Sequence, residues 1–213
     1  MYNQKGVPEF GQPIASSYLD SEFPMELMDV LQNRRAVRDY TDAPIEPALI
    51  ERLICAAILA PSAMNLQPWA FAVLLGRDRV DQLADRIKTW ILADFSETAY
   101  APSIRGMIEK PDYSLLHHAP ALVMVLAKSS GSQALEDCCL AADNLMLAAR
   151  DQEIGTCWVG FARPWLNQPE VKRELGLPEQ YHIVAPLVLG HPKAWPKSHG
   201  RNAPEIHWIG EHS

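Results

Sequence analysis

Apolar residues recur at three- and four-residue intervals through Ile50, Leu53, Ile54, Ala57 and Ile58, which keeps one face of an α-helix inward. Pro47 stands near its first turn and Pro61 stops it. The same period runs through Val80, Leu83, Ala84, Ile87 and Ile91. It is cleanest through Leu135, Cys138, Ala142, Leu145, Met146 and Ala149, a stripe that ends before Gly155 and predicts a central core helix. Shorter helices are expected over Met25–Leu31 and from Pro169 to Gly176. Continuous apolar runs of strand length, Trp69–Leu75 and Ala121–Ala127, predict buried strands. Thr156–Gly160 and Tyr181–Gly190 read as two more strands, and a last short one is expected over Glu205–Ile209.

Between these elements the pattern breaks in three places. Residues 1 to 20 carry Gly6, Pro8, Gly11 and Pro13 without any period, and we read residues 1–23 as an extended arm. Phe95 to His118, interrupted by Pro102, Gly106 and Pro111, reads as an irregular excursion, long enough to serve as a lid. His191 to Pro204 is a polar, proline-punctuated loop. With no repeat and no linker, residues 24–213 are expected to form one α+β domain of mixed sheet and helices. Strands and helices do not alternate strictly, which counts against a doubly wound fold.

Composition narrows the function. With 19 lysines and arginines against 26 aspartates and glutamates the chain carries a net charge of −7. It has no basic run, so nucleic acid is an unsuitable partner. The longest apolar stretch, Ala119–Ala127, already contains Pro120. It falls far short of the roughly 20 residues that cross a bilayer, so no membrane span is expected. The N-terminus lacks the plan of a signal peptide, and Cys55, Cys138, Cys139 and Cys157 are expected as reduced thiols in a cytoplasmic protein.

The chain holds no glycine-rich phosphate loop, no His-Glu-x-x-His, no Cys-x-x-Cys and no Gly-x-Ser-x-Gly. The adjacent pair His117-His118 points in two directions and reads as a loop contact rather than a metal site. Three clusters carry more. Arg34-Arg35-Ala36-Val37-Arg38 sets three guanidinium groups within five residues of an acidic chain. Taken alone it could be a solvated helix end pairing with Asp29, Asp39 or Asp42, but guanidinium also matches phosphate. Pro61-Ser62-Ala63-Met64-Asn65-Leu66-Gln67-Pro68 is a loop of small polar side chains held between prolines. Gly155-Thr156-Cys157-Trp158-Val159-Gly160 brackets a short strand with two glycines, which lets a planar group lie close to the backbone.

Taken in order, Arg34-Arg35-x-Val37-Arg38-x-Tyr40, Pro61-Ser62-x-x-Asn65-x-Gln67-Pro68-Trp69, Leu147-Ala148-Ala149 leading to Gly155–Gly160, then Leu189-Gly190-His191-Pro192 and Arg201 resemble the signature of the nitroreductase family of FMN-dependent oxidoreductases. The resemblance runs from about Met25 to Trp208. It implies an α+β, three-layer sandwich with a mixed, mainly antiparallel sheet, in an intertwined homodimer with FMN at the subunit interface. Carried over, it implies that Arg34 and Arg201 hold the FMN phosphate, that Arg35 and Ala36 contribute backbone, and that Arg38 sits by the pyrimidine edge. Pro61, Ser62 and Asn65 would come from the other subunit. Trp158, Val159 and Gly160 would line the ring, with the Val159 and Gly160 N–H groups near N5. Lys197 and His199 stand close to Arg201 as candidates to join the phosphate site.

Two departures are visible: Ala36 stands where the family often has Ser, and Gly190-His191-Pro192 replaces a common Gly-Tyr-Pro. The implied activity is transfer of a hydride from NADH or NADPH through flavin N5 to an electron-poor small molecule such as a nitroaromatic, quinone or conjugated carbonyl. The flavin carries the chemistry, so no side chain is assigned as catalytic. Reductive dehalogenation, dehydrogenation, flavin destruction or non-catalytic FMN binding are the alternatives on the same fold.

Overall fold

The two apolar runs pair as neighbouring strands of an antiparallel sheet, one at its edge and one in its centre. The computed structural model describes residues 25–93 and 102–210; the expected arm over 1–23 lies outside them, as do residues 94–101. Strands β1 (Trp69–Leu75), β2 (Ala121–Ala127), β3 (Gly155–Trp158) and β4 (His182–Gly190) lie in the order β1-β2-β4-β3. Trp69 pairs with Ala127, Ala121 with Leu189, and Gly155 with Gly190. Paired on both edges and covered on both faces, β2 is buried at every position. Its residues still alternate: Ala121, Val123, Val125 and Ala127 enter one core, Leu122, Met124 and Leu126 the other. In β4 the consecutive residues Val184 and Ala185 enter the same core, where the β2 register slips between Val125 and Leu126.

Helices fill the two outer layers. Against one face lie α2 (Pro47–Ala57) and α5 (Ser132–Asp151), which presents Ala134, Cys138, Ala141, Ala142, Leu145, Ala148 and Ala149 to the core. Its many small side chains let the helix approach closely. The other face is covered by α3 (Arg77–Ala93), with α6 (Arg163–Leu166) and α7 (Pro169–Glu174) beside it. On α3 the inward stripe is Val80, Leu83, Ala84, Ile87 and Ile91, as its period requires. α1 (Leu27–Asn33) packs on α5, and the Met25 N–H donates to Asp151 Oδ1 at 2.8 Å.

The fold is α+β in three layers, and it differs from the sequence reading in four details. The sheet is antiparallel throughout, and the parallel element is one bridge, Ala36 to Thr156. Within the 95–118 excursion Pro102–Ile108 forms a helix, α4, because proline is tolerated in a first turn where no amide donor is needed. β3 stops at Trp158, and Gly160–Ala162 turns into a 3-10 helix. Glu205–Ile209 forms no strand: its side chains are exposed, so no buried face holds the stretch to the sheet.

Candidate functional site

The site is built on the open edge of β3. Leaving α1, the chain from Arg34 to Tyr40 runs along that edge: the Val37 N–H donates to Thr156 O at 2.9 Å, and Ala36 bridges Thr156 in parallel. Tyr40 bridges Pro192, and its hydroxyl donates to Val37 O at 2.6 Å. Two glycines permit this docking. A Cβ on Gly155 would sit 2.7 Å from Val37 Cβ, and one on Gly190 would sit 2.5 Å from the Tyr40 ring. The sequence reading left room for a ligand over both glycines of the β3 segment; at Gly155 that room is taken by Val37. At Gly160 an added Cβ would meet nothing within 4 Å.

Parallel pairing sets the order of the arginines. With Ala36 beside Thr156, Arg38 falls level with Trp158, and Arg34 level with the start of β3; four extended residues separate them by about 13 Å. None of Arg34, Arg35 and Arg38 forms an ion pair among the described residues. Asp39 instead binds Lys193 at 2.9 Å and Asp42 binds Arg77 at 3.0 Å, so the pairing of these arginines with Asp39 or Asp42 is not formed. Arg35 turns back and donates through Nη1 to Gln32 O at 2.6 Å and Arg34 O at 2.7 Å. That caps the last turn of α1 with the Arg35 side chain.

Arg38, Trp158, Val159 and Gly160 line an open cavity of about 970 Å³. Met107, Tyr113 and His117, from the excursion that ends at His118, line it too. The Val159 N–H is spent on Pro186 O at 2.9 Å, so of the two amides expected to serve a ligand only that of Gly160 is available. Burial pushes the Cys157 thiol up, and Arg38 and Arg34 oppose the shift. Burial, with the nearby Arg38 charge and His118, lowers His117 to about 4, so it is neutral at pH 7. Its ring meets Tyr113 edge-on at 6.4 Å, and both His117 and His118 hold positive φ, at 58° and 50°. His118 Nδ1 lies 2.9 Å from Asp81 Oδ1, a loop contact. Among the described residues no cluster of three metal-ligating side chains exists.

The remaining expected residues lie elsewhere. Pro61, Ser62 and Asn65 are on the other side of the sheet, where the Ala63 N–H donates to Asp137 at 3.2 Å and Ser62 Oγ accepts from the Gln67 N–H at 3.0 Å. Met64, Asn65 and Gln67 all have positive φ, a strained turn with exposed tips. Lys197 and Arg201 are exposed on the C-terminal segment and do not line the cavity; Arg201 Nη1 donates to Gly200 O at 2.8 Å. One chain therefore assembles the Arg38–Gly160 wall and leaves Ser62, Asn65, Lys197 and Arg201 apart from it.

The profile of the Nitroreductase family matches residues 31–191, from the end of α1 through β4. The chain belongs to the nitroreductase family. Among its relatives, a protein of Archaeoglobus fulgidus assigned by name to the NADH dehydrogenase/NAD(P)H nitroreductases is 29% identical over 79% of this chain and 86% of its own. A 5,6-dimethylbenzimidazole synthase of Rhodospirillum rubrum is 29% identical over 90% of this chain and 91% of its own. A nitroreductase of Bacteroides fragilis, crystallised with bound FMN, is 27% identical and aligns with a TM-score of 0.75 over 87% of this chain and 100% of that one. The match spans every element that builds the cavity wall.

Sequence reasoning missed Tyr113 and His117, which line the cavity, and Arg150, whose Nε and Nη1 are buried without a partner among the described residues. A histidine pair in an irregular stretch carries no signal of this kind. Arg150 reads in sequence as an ordinary basic residue in the last turn of α5.

Proposed function

We propose that this nitroreductase-family chain is an FMN-dependent oxidoreductase that draws a hydride from NADH or NADPH and delivers it to a nitroaromatic, quinone or conjugated carbonyl by a ping-pong mechanism. The observation that carries the reading is the cavity lining itself: Arg38, whose guanidinium is in no ion pair among the described residues, and Gly160, whose N–H has no acceptor there, line the same open cavity. These residues fit a flavin. The space beside Gly160 is open, since an added Cβ would meet nothing within 4 Å, and the arginine segment offers cations that no carboxylate of the described chain neutralises.

Bound FMN supplies the redox chemistry by taking and giving a hydride at N5. Arg38 would lie by the pyrimidine edge of the ring, where its charge would favour the reduced form. The Gly160 N–H would be the donor at N5. Arg34, Arg201 and Lys197 would hold the phosphate through charge-assisted hydrogen bonds. His117, neutral at pH 7, adds no charge to the cavity. Water can protonate the reduced acceptor, so no side chain has to act as a strong acid or base.

The same reading makes the protein a homodimer, with Pro61, Ser62 and Asn65 supplied by the partner to complete each flavin site. Large apolar side chains left open on one chain support it: Leu27 is 66% exposed, Met64 84% and Leu66 57%. In this reading residues 24–213 form one FMN-binding domain with the 1–23 arm appended. No helix of the described residues is long and apolar enough to cross a membrane, and four free thiols suit the reducing cytoplasm. A second reading is oxygen-dependent destruction of the flavin: a relative is named for making 5,6-dimethylbenzimidazole, whose dimethyl-substituted benzene ring matches that of a flavin.

Initial velocities at several fixed acceptor concentrations separate these readings. Parallel double-reciprocal lines with NAD(P)H and a nitroaromatic, with flavin recovered intact, are the expected result. Intersecting lines, or loss of flavin in air only, contradict the ping-pong reductase.

A further inference from the structure

Arg150 is the side chain that the fold explains least. Its Nε and Nη1 are buried and donate to no group among the described residues, while the guanidinium carbon lies 3.9 Å from the centroid of the Trp195 ring. The adjacent acid does not neutralise it: Asp151 accepts from the Met25 N–H at 2.8 Å and from Gln152 Nε2 at 2.9 Å. Burying a charge with two unmade hydrogen bonds is costly, and a cation–π contact offsets only part of the cost. Such a group is expected where an anion from outside the chain completes it.

Position says which anion. The Ile154 N–H donates to Ala149 O at 2.8 Å, tying the start of β3 to the last turn of α5, next to Arg150. Because Ala36 and Thr156 pair in parallel, Arg34 lies at this same end of β3, opposite in direction to the Arg38–Gly160 end. Trp195 belongs to the loop that carries Lys197 and Arg201 two and six residues later. The fold thus gathers Arg34, Arg150 and the start of the basic C-terminal loop about 13 Å along the strand edge from the ring-binding wall.

We infer that Arg150 is a phosphate-binding residue of the flavin site, its guanidinium held against the Trp195 ring to receive the phosphomonoester of FMN at the Arg34 end of β3. The inference rests on the FMN reading above. It explains why the donors are unmade in the chain alone, and it gives Trp195 a positioning role.

Flavin release on dilution, read by recovery of flavin fluorescence, tests it in protein loaded with FMN or with riboflavin, which lacks the phosphate. The wild type is expected to hold FMN more tightly than riboflavin. Arg150→Met should lower that FMN-over-riboflavin ratio by about ten- to a hundredfold, the worth of a hydrogen bond to a charged group, and Arg150→Lys should recover part of it. Inorganic phosphate should raise the thermal midpoint of flavin-free wild type and not of Arg150→Met. An unchanged ratio in Arg150→Met, with wild type discriminating, overturns the role of Arg150 and leaves the FMN reading standing. A wild type that binds neither flavin overturns both. If Arg150→Met changes the NADPH-over-NADH preference instead of the FMN-over-riboflavin ratio, the phosphate it reads is not the flavin's and the inference fails. Should Arg150→Met not fold, Arg150→Lys and Trp195→Leu carry the same comparison.

Discussion

Gly155→Ala is the most direct perturbation of the edge that carries the arginines. The new Cβ would lie 2.7 Å from Val37 Cβ and 2.8 Å from each of its γ-carbons, inside van der Waals contact. Val37 cannot swing aside, because it is 1% exposed and its N–H is bonded to Thr156 O at 2.9 Å. Relief requires the whole 34–38 segment to move off β3. Overpacking of this kind costs about 1–3 kcal/mol, and removing a glycine from a strand returns about 0.5–1 kcal/mol, for a net loss of about 1–2 kcal/mol. Denaturant unfolding reads this directly, and in a chain of this size each kcal/mol moves the thermal midpoint by about 2–4 °C. In a Val37→Gly background all three clashing atoms are gone, so the same methyl should be neutral or stabilising. The double-mutant cycle should then show favourable coupling of about the size of the clash. A Gly155→Ala protein as stable as wild type, or one equally destabilised in both backgrounds, refutes the packing account.

Three further outcomes are expected. The unfolded chain protonates His117 near 6.5, while the folded chain resists until about 4, so stability associated with His117 is full above 6.5 and lost as pH falls through that window. The drop in denaturation midpoint on acidification should therefore shrink in His117→Asn, and an equal drop refutes the buried neutral imidazole. Arg201→Ala should weaken FMN binding by about tenfold or more, while Arg38→Ala should lower the flavin reduction potential more than it weakens binding; potentiometry and flavin release separate them, and equal retention in both variants refutes the assigned roles. Leu27→Glu with Leu31→Glu, at positions 66% and 48% exposed, should convert a dimer to a monomer by light scattering, with loss of flavin; a monomeric wild type refutes the shared site.

What the sequence disclosed depended on how local the cause was. β1 and β2 were legible to the residue because every position is apolar and Pro68, Gly76 and Pro120 mark their ends. The arginine cluster stood out against an acidic chain, but its place beside β3 rests on the long-range bridge from Ala36 to Thr156. The 102–108 helix was hidden by Pro102, which reads as a breaker until the first turn is located. Ile206 and Trp208 alternate as a strand would, but pairing is a property of the neighbour, and no strand forms over 205–209. The role of Gly155 depends on Val37, the occupied Val159 amide on Pro186, and the exposure of His117 to the cavity on an unusual backbone conformation. Each of these is a long-range or conformational fact with no local trace. Arg150 is the extreme case, since only burial distinguishes it from other basic helix ends.

The decisive measurement is an anaerobic titration of the purified, FMN-loaded protein, first with NADH or NADPH and then with a nitroaromatic, following flavin absorbance. The account expects the yellow colour to bleach with one equivalent of nicotinamide per flavin and to return on adding the acceptor. A protein that takes up no FMN, or whose bound FMN neither nicotinamide can bleach, contradicts it.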